Sequence, residues 1–299
     1  MGIKFIKMSS KRYAVIDVGS NSVRLMQSLG NKTLSKQIII TKLSEGLGET
    51  SMLCNKAMER TAQAICFFYN KAKEDGADEV YAFATAAVRK AVNGLKFTEK
   101  VKNTCGLDIE VVSGEKEAEL GTLGALGKND GYVVDIGGAS TEISVYKDGK
   151  IIYSKSIYLG CVNTTDKCGQ DEQVIKKYVR EKLKEFGDVV RLPLAVYGIG
   201  GTATTIAGVF LNLEVYDPKI VHGTKLSKED IEKTKNLLLS LSIEDRKKLK
   251  SLQKDRAEVI GPGSLILSEI VNFLGASEII ISENDNLEGY LEQKLNGKI

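Results

Sequence analysis

Histidine is nearly missing from this chain: its 299 residues include one, His222. Phosphohydrolases that hold metals with several histidines are therefore excluded. A Ser-His-Asp triad would need that residue beside a nucleophile elbow, and no such motif occurs. In Val221-His222-Gly223-Thr224 the histidine reads as a loop or packing residue. The five cysteines, at 54, 66, 105, 161 and 168, are scattered, odd in number and form no CxxC pair. That argues against a zinc site and a disulfide framework, and for reduced thiols in the cytoplasm. Three prolines and no low-complexity tract exclude long disordered linkers. No apolar run reaches the length of a signal peptide or a membrane span, so no membrane partner is expected. Charge of one sign is also lacking. A net charge of +3 is too small to indicate a nucleic-acid binder. Lysine clusters at 176–177, 182–184 and 246–248 fall on helical patterns. They read as solvated faces, or as a diffuse attraction for a polyanion.

What the chain does have is a repeat. Asp17-Val-Gly-Ser-Asn-Ser22 follows the apolar run Tyr13-Ala-Val-Ile16, and Asp135-Ile-Gly-Gly-Ala-Ser-Thr-Glu142 follows Gly131-Tyr-Val-Val134. Each copy is a buried-strand pattern, an aspartate, a glycine turn, hydroxyl residues and a second strand pattern. Aspartate can ligate Mg²⁺, glycine lets backbone N–H groups approach phosphate oxygens, and Ser or Thr adds donors. Alone, either aspartate could simply form a turn. Two such hairpins facing each other would make a phosphate clamp between related lobes.

Strand patterns cover 13–17, 22–28, 36–42, 79–84 and 108–112 in the first half, with helices at 56–75, 95–105 and 115–127. The second half repeats the order: strands at 132–135, 141–147, 151–158 and 194–197, helices at 171–186 and 203–211. Helices at 228–240, 243–250 and 258–273, a strand at 277–281 and a closing helix at 287–295 complete it. This order predicts an α/β protein of mixed sheets flanked by helices. The first lobe is placed at 1–126 and the second at 127–286, with the boundary in the polar turn 127–130. The closing segment 287–299 is a candidate to pack back on the first lobe.

Three further elements carry chemistry. Gly198-Ile-Gly-Gly-Thr-Ala-Thr-Thr205 leads from a strand into a helix and offers free N–H groups to an anion, or is only a tight turn. No lysine follows, so it is not a Walker A loop, and no well-placed acid supports NAD binding. Ala84-Thr-Ala-Ala-Val-Arg89 ends in an arginine. Arg89 and Arg24 could each grip phosphate bidentately or serve as surface ion pairs. Ser113-Gly-Glu-Lys-Glu-Ala-Glu119 opens a helix whose first-turn acids suit capping and the helix dipole. A carboxylate there, near bound phosphate, would also suit a general base.

Together these motifs resemble the exopolyphosphatase / guanosine pentaphosphate phosphohydrolase (Ppx/GppA) family in its short two-domain form, within the actin–Hsp70–sugar-kinase superfamily. Val221-His-Gly223 and Arg256-Ala-Glu-Val-Ile-Gly-Pro-Gly263 extend the likeness over nearly the whole chain. The resemblance implies two ribonuclease-H-like (actin-like ATPase) lobes with the active site in the cleft between them. It implies water attack on a terminal phosphate of polyphosphate, or on the 5′ γ-phosphate of guanosine pentaphosphate, assisted by Mg²⁺ (or Mn²⁺). By motif, Glu117 corresponds to the catalytic base, Asp17 and Asp135 to the metal-side aspartates, and Glu142 to a second acid near metal and water. Ser20, Asn21, Ser22, Gly137, Gly138, Ser140 and Thr141 correspond to the phosphate-cradling turns, and Arg24 and Arg89 to phosphate-facing arginines. Gly200, Gly201 and Thr202 of the third turn join the expected phosphate contacts. A homodimer is left open. So are two other readings, an ATP-binding kinase or ATPase-like module and a non-catalytic alarmone or polyphosphate sensor.

The chain also departs from the family pattern. Lys116 stands where a glutamate is usual, Ala139 for a glycine and Glu283 for an aspartate. Glu119, Asn163 and Leu287 stand where the family usually has arginine. If those positions face the substrate path, short substrates should be preferred over long chains.

Overall fold

The computed structural model describes residues 11–127, 129–297 and 299. Residues 1–10 of the expected first lobe, Lys128 in the expected boundary turn and Lys298 of the closing segment lie outside the described residues.

β1 (Arg12–Val18) is buried from its second residue to its last, which makes it a central strand covered on both faces. β2 (Ser22–Leu29) and β3 (Lys32–Ile40) fold back on it as antiparallel hairpins. β4 (Glu79–Ala84) joins the other side of β1 in parallel after the helix Asn55–Glu74, and β5 (Glu110–Val111) follows β4. The first sheet thus has the order β3-β2-β1-β4-β5. In the second sheet β6 (Gly131–Ile136), β7 (Thr141–Lys147), β8 (Lys150–Ile157), β9 (Val196–Ile199) and β11 (Glu278–Ile281) take the same places. β10 (Lys225–Ser227) is added at the edge, giving β10-β11-β9-β6-β7-β8. The chain is therefore an α/β protein of two related, ribonuclease-H-like lobes.

The repeat extends to single bonds. The Gly19 amide donates to the Ser22 carbonyl and the Gly137 amide to the Ser140 carbonyl, both at 2.9 Å. Register sets Asp17 opposite Arg24 in one hairpin and Asp135 opposite Glu142 in the other. Asp148 and Gly149, both left-handed, close β7 to β8 as the two-residue turn that strand twist favours.

Each lobe has an apolar core of its own. The helix Gly114–Leu126, counted with the first lobe by sequence, lies against β6, β7, β8 and β9 of the second sheet. The closing helix Asn286–Leu295 lies against that helix and β1. Its Leu287, Tyr290 and Leu291 bury Tyr13, Val15 and Phe83 of the first sheet. The two helices meet backbone to backbone. A Cβ on Gly124 would lie 1.9 Å from the Asp285 carbonyl oxygen, and one on Gly289 would lie 1.9 Å from that of Leu120. Only glycine permits such an approach.

Several elements differ from the sequence pattern. The helix expected over 243–250 is reduced to Ile243–Arg246, and the strand expected over 108–112 to Glu110–Val111. The helices Ala86–Lys90 and Cys161–Cys168 and the strand β10 give too few turns for a periodic signal. Among the described residues no helix is long and apolar enough to cross a membrane.

Candidate active site

β1 delivers Asp17 to the cleft floor, buried at 4 % exposure. One of its oxygens, Oδ2, accepts from Arg24 Nε at 3.0 Å and from Nη2 of the same guanidinium. Arg24 Nη1 donates to Asp285 at the foot of the closing helix. The other oxygen, Asp17 Oδ1, is buried without a hydrogen-bond partner. The turn beyond it is fixed from behind. The Asn21 carbonyl accepts from the amides of Thr41 and Lys42, both at 2.9 Å, and the Ser20 carbonyl from Ser44 at 3.0 Å. Ser20, Asn21 and Ser22 line the cleft.

The second turn meets the first directly. A Cβ on Gly138 would sit 2.9 Å from Ser20 Cβ and 3.1 Å from the Asn21 nitrogen. The repeated hairpins therefore do face each other, and Gly138 is the reason they can close this far. Asn163 braces the second turn: its Oδ1 accepts from the Gly160 amide at 2.7 Å and its Nδ2 donates to the Ala139 carbonyl at 2.8 Å. Asp135, Gly137, Gly138 and Ser140 line this wall.

Gly200, Gly201 and Thr202 form the third wall. Gly200 is left-handed (φ 74°), and a Cβ there would lie 2.3 Å from Asp135 Oδ1. Thr202 Oγ1 donates to the Ile136 carbonyl at 2.8 Å, tying this turn to β6. The Arg256 guanidinium lies over Gly201, where a Cβ would come within 2.2 Å of it. Its Nε donates to Gln253 Oε1 at 3.1 Å, and among the described residues no carboxylate pairs with it.

The fourth wall is Thr85 and Glu117. Ser113 caps its helix by accepting from the Lys116 amide at 3.1 Å, which sets Glu117 in the first turn facing inward. Arg89 Nη1 donates to Glu117 Oε2 and to the Val112 carbonyl, both at 2.9 Å.

The cleft concentrates buried carboxylates. Burial pushes Glu117 up to about 7 despite the opposing pull of Arg89, and the charge on Asp17 adds to the rise. Burial likewise lifts Asp135 to about 7 against Arg24, with Asp285, Glu117 and Asp17 assisting. Glu142 is held well above its ordinary range by burial and then by Glu117 and Asp135. Asp17 is also raised by burial, with Arg24 opposing. Burial acts upward on Asp285 too, but Arg24 and Lys36 outweigh it and keep its carboxyl low.

Such an excess of carboxylate suits a cation. Asp17 offers an unpartnered oxygen, and Asp135 has one long contact, from Asn286 Nδ2 at 3.4 Å. Mg²⁺ is commonly held by one or two carboxylates with substrate oxygens and water completing the shell, so this pair fits it. Among the described residues no three acids, thiols or imidazoles gather as a ready ligand set. Glu142 accepts from Ser156 Oγ at 2.6 Å; it stands opposite Asp135 in the β6–β7 ladder and feels the charges of Glu117 and Asp135, so the expected third acid sits beside this pair.

Of the other expected contacts, Thr141 and Arg89 are engaged with protein partners. Thr141 spends its hydroxyl on the Leu159 carbonyl, and Arg89 holds Glu117. The remaining expected residues line one cleft. The sequence reading missed Thr85, Cys161, Arg256 and Asn286 on its walls, and Asp285 beside them, bonded to Arg24. Arg256 opened a matched motif, and Asp285 and Asn286 sat inside another, but neither motif alone indicated which side chain faces inward.

The three positions that lack arginine are turned to partners within the protein. Glu119 pairs with Lys116 at 3.1 Å and accepts from Gln293 Nε2 at 2.8 Å, beside the closing helix. Asn163 is the buried brace, and Leu287 is buried in the apolar layer over the first sheet. The expectation of a short-substrate preference loses its structural basis at all three.

Comparison with known proteins agrees with this architecture. The model of the Ppx/GppA phosphatase family matches residues 22–297. A bifunctional 3-dehydroquinate synthase/phosphatase of Fusobacterium nucleatum is 31% identical over 95% of this chain; the chain spans 47% of that protein's length. Exopolyphosphatase 2 of Mycobacterium tuberculosis is 29% identical over 94% of this chain and 98% of its own length. The crystal structure of the Aquifex aeolicus member of the Ppx/GppA family superposes with a TM-score of 0.78 at 30% identity, covering 97% of this chain and 99% of that one.

Proposed function

The chain belongs to the Ppx/GppA phosphatase family, and from that premise we propose that it hydrolyses the terminal phosphoric anhydride of inorganic polyphosphate. The observation that carries the reading is Glu117: a buried carboxylate at the edge of a double phosphate turn, held by one arginine and lifted to about 7. A base tuned near neutral pH is what water attack on phosphorus requires. The relative named an exopolyphosphatase, similar over almost its full length, supports the substrate class.

In this mechanism the amides and hydroxyls of the turns at 19–22 and 137–140 receive the terminal phosphate. Glu117 takes a proton from water as the water oxygen bonds to phosphorus and the bridging P–O bond breaks. Orthophosphate leaves, and the shortened chain keeps the bridging oxygen. Arg24 and Arg256 are the cations facing the remaining phosphates. Phosphoryl transfer depends on this positioning and charge stabilisation more than on covalent chemistry. Bound Mg²⁺ (or Mn²⁺), held by Asp17 and Asp135, would supply neutralisation of phosphate charge.

Guanosine pentaphosphate is a second reading, favoured by one feature. Past Arg24 and Arg256 the cleft opens into a wide groove that includes Leu34, Ile38, Tyr216 and Pro218, a surface suited to a nucleoside. The deciding experiment is phosphate release from short and long polyphosphate, guanosine pentaphosphate, ATP and GTP. Release from polyphosphate supports the first reading, and release from guanosine pentaphosphate alone supports the second. Turnover of ATP alone, or binding without release, overturns both in favour of an ATPase-like module or a sensor.

A further inference from the structure

Arg246 is the largest side chain buried almost completely, at 1 % exposure. Among the described residues no carboxylate pairs with it. A buried guanidinium without a counter-charge is costly unless its donors are satisfied. Here Nε donates to the Leu238 carbonyl, and Nη1 to Gln170 Oε1 at 2.7 Å and to the Ala257 carbonyl at 3.2 Å. Gln170 completes the bracket, donating from Nε2 to the Glu258 carbonyl at 2.8 Å. The guanidinium also lies flat against Gly261, where a Cβ would come within 2.7 Å of it.

Two consecutive carbonyls, those of Ala257 and Glu258, are thus held from behind. They directly follow Arg256, the cleft arginine that pairs with no carboxylate among the described residues. We infer that Arg246, with Gln170, is a positioning residue that fixes the segment carrying Arg256 so that its guanidinium stays aimed over Gly201 into the cleft. The inference rests on the phosphatase reading for its consequence, since a well-placed Arg256 serves an anionic substrate. Its structural content, the placement of Arg256, can be tested without turnover. A preset guanidinium loses less freedom when it meets phosphate, and this lowers KM more than it raises kcat.

The test compares Arg246→Met, Gln170→Leu, Arg256→Met and the double variant Arg246→Met/Arg256→Met. Initial rates on inorganic tripolyphosphate give KM and kcat, and ¹⁵N spectra follow the Arg256 Nε–H signal in the free protein. Arg246→Met and Gln170→Leu are expected to shift or broaden that signal. They should raise KM by about tenfold, the scale of one lost charge-assisted contact, with a smaller change in kcat. In the Arg256→Met background, Arg246→Met should add less than about twofold, because its effect runs through a side chain already removed. An unmoved Arg256 signal in both variants, or penalties that multiply in the double variant, would overturn the inference. If Arg246→Met does not fold, Gln170→Leu is judged alone on the same signal and the same KM. If the unaltered protein releases no phosphate from tripolyphosphate, the polyphosphate reading fails, and the Arg256 signal still decides the placement.

Discussion

Arg89→Met provides the sharpest test of Glu117. Arg89 donates to Glu117 Oε2 at 2.9 Å and opposes the burial that lifts this carboxyl to about 7. Methionine keeps much of the side-chain volume and removes the charge and the hydrogen bond. Burial and the repulsion from Asp17 then act alone, and both favour the protonated acid. An opposite charge at this range typically shifts a carboxyl by about one to three units, so the variant's pKa should rise by at least about one unit. A protonated Glu117 cannot take a proton from water. The profile of log kcat/KM against pH should rise to a plateau with a midpoint near 7 in the unaltered protein. In Arg89→Met the midpoint should move to higher pH, with about a tenfold loss of rate at neutral pH and partial recovery under alkaline conditions. The assay is phosphate release at low substrate concentration across pH, at constant ionic strength. Glu117→Gln, which should lose about two to four orders of magnitude in rate, serves as the control. Because Asp135 titrates in the same range, the midpoint is a property of the coupled group, and its displacement is the informative quantity. A midpoint that stays fixed or moves to lower pH in Arg89→Met would refute the reasoning.

Asp17→Asn and Asp135→Asn are each predicted to weaken Mg²⁺-dependent activity, and the double variant to lose less than the product of both factors, because they face one cleft. Kinetics that multiply cleanly would assign them to separate sites. Stability should show the same electrostatics. Glu117 has a folded-state pKa above its unfolded one, so its contribution is full below the ordinary carboxyl range and is lost as pH rises toward about 7. The melting temperature of Glu117→Gln relative to the unaltered protein should therefore increase from pH 5 to pH 8, flattening above about pH 7; a constant or falling difference contradicts this. Gly138→Ala should force the two turns apart, since its Cβ would meet Ser20 at 2.9 Å. At least about a tenfold loss in kcat/KM is expected, and near-normal kinetics would show that the turns need not touch. Glu119→Arg should leave the ratio of rates on long and short polyphosphate unchanged, because Glu119 faces Lys116 and Gln293; a marked gain on long chains would place it on the substrate path.

The architecture was legible in the sequence because it is written twice. Asp17 and Asp135 each end a buried strand and open a glycine turn, and that local pattern fixes a hairpin without knowledge of its surroundings. Glu117 was legible for a similar reason, since Ser113 caps the helix that carries it. The locations of Glu142, Thr141 and Arg89 depend on which neighbour takes the side chain, and those neighbours are Ser156, the Leu159 carbonyl and Glu117. Nothing in a linear pattern encodes that choice. Arg256 and Asp285 reach the cleft from the far end of the chain, and only the tertiary fold brings them there. The three positions that lack arginine follow the same rule: comparison of motifs shows which residue is replaced, not which way the position faces.

The exchange of helices between the lobes bears on how the chain is made. The first sheet keeps Tyr13, Val15 and Phe83 on a face covered by Leu287, Tyr290 and Leu291. During synthesis that face must wait, uncovered, until the whole second sheet and then the helix Asn286–Leu295 have been made. A variant that lacks the helix Asn286–Leu295 would have a finished first sheet with an apolar surface and no cover. An uncovered face on the first sheet would therefore mark a chain in which that helix has not docked.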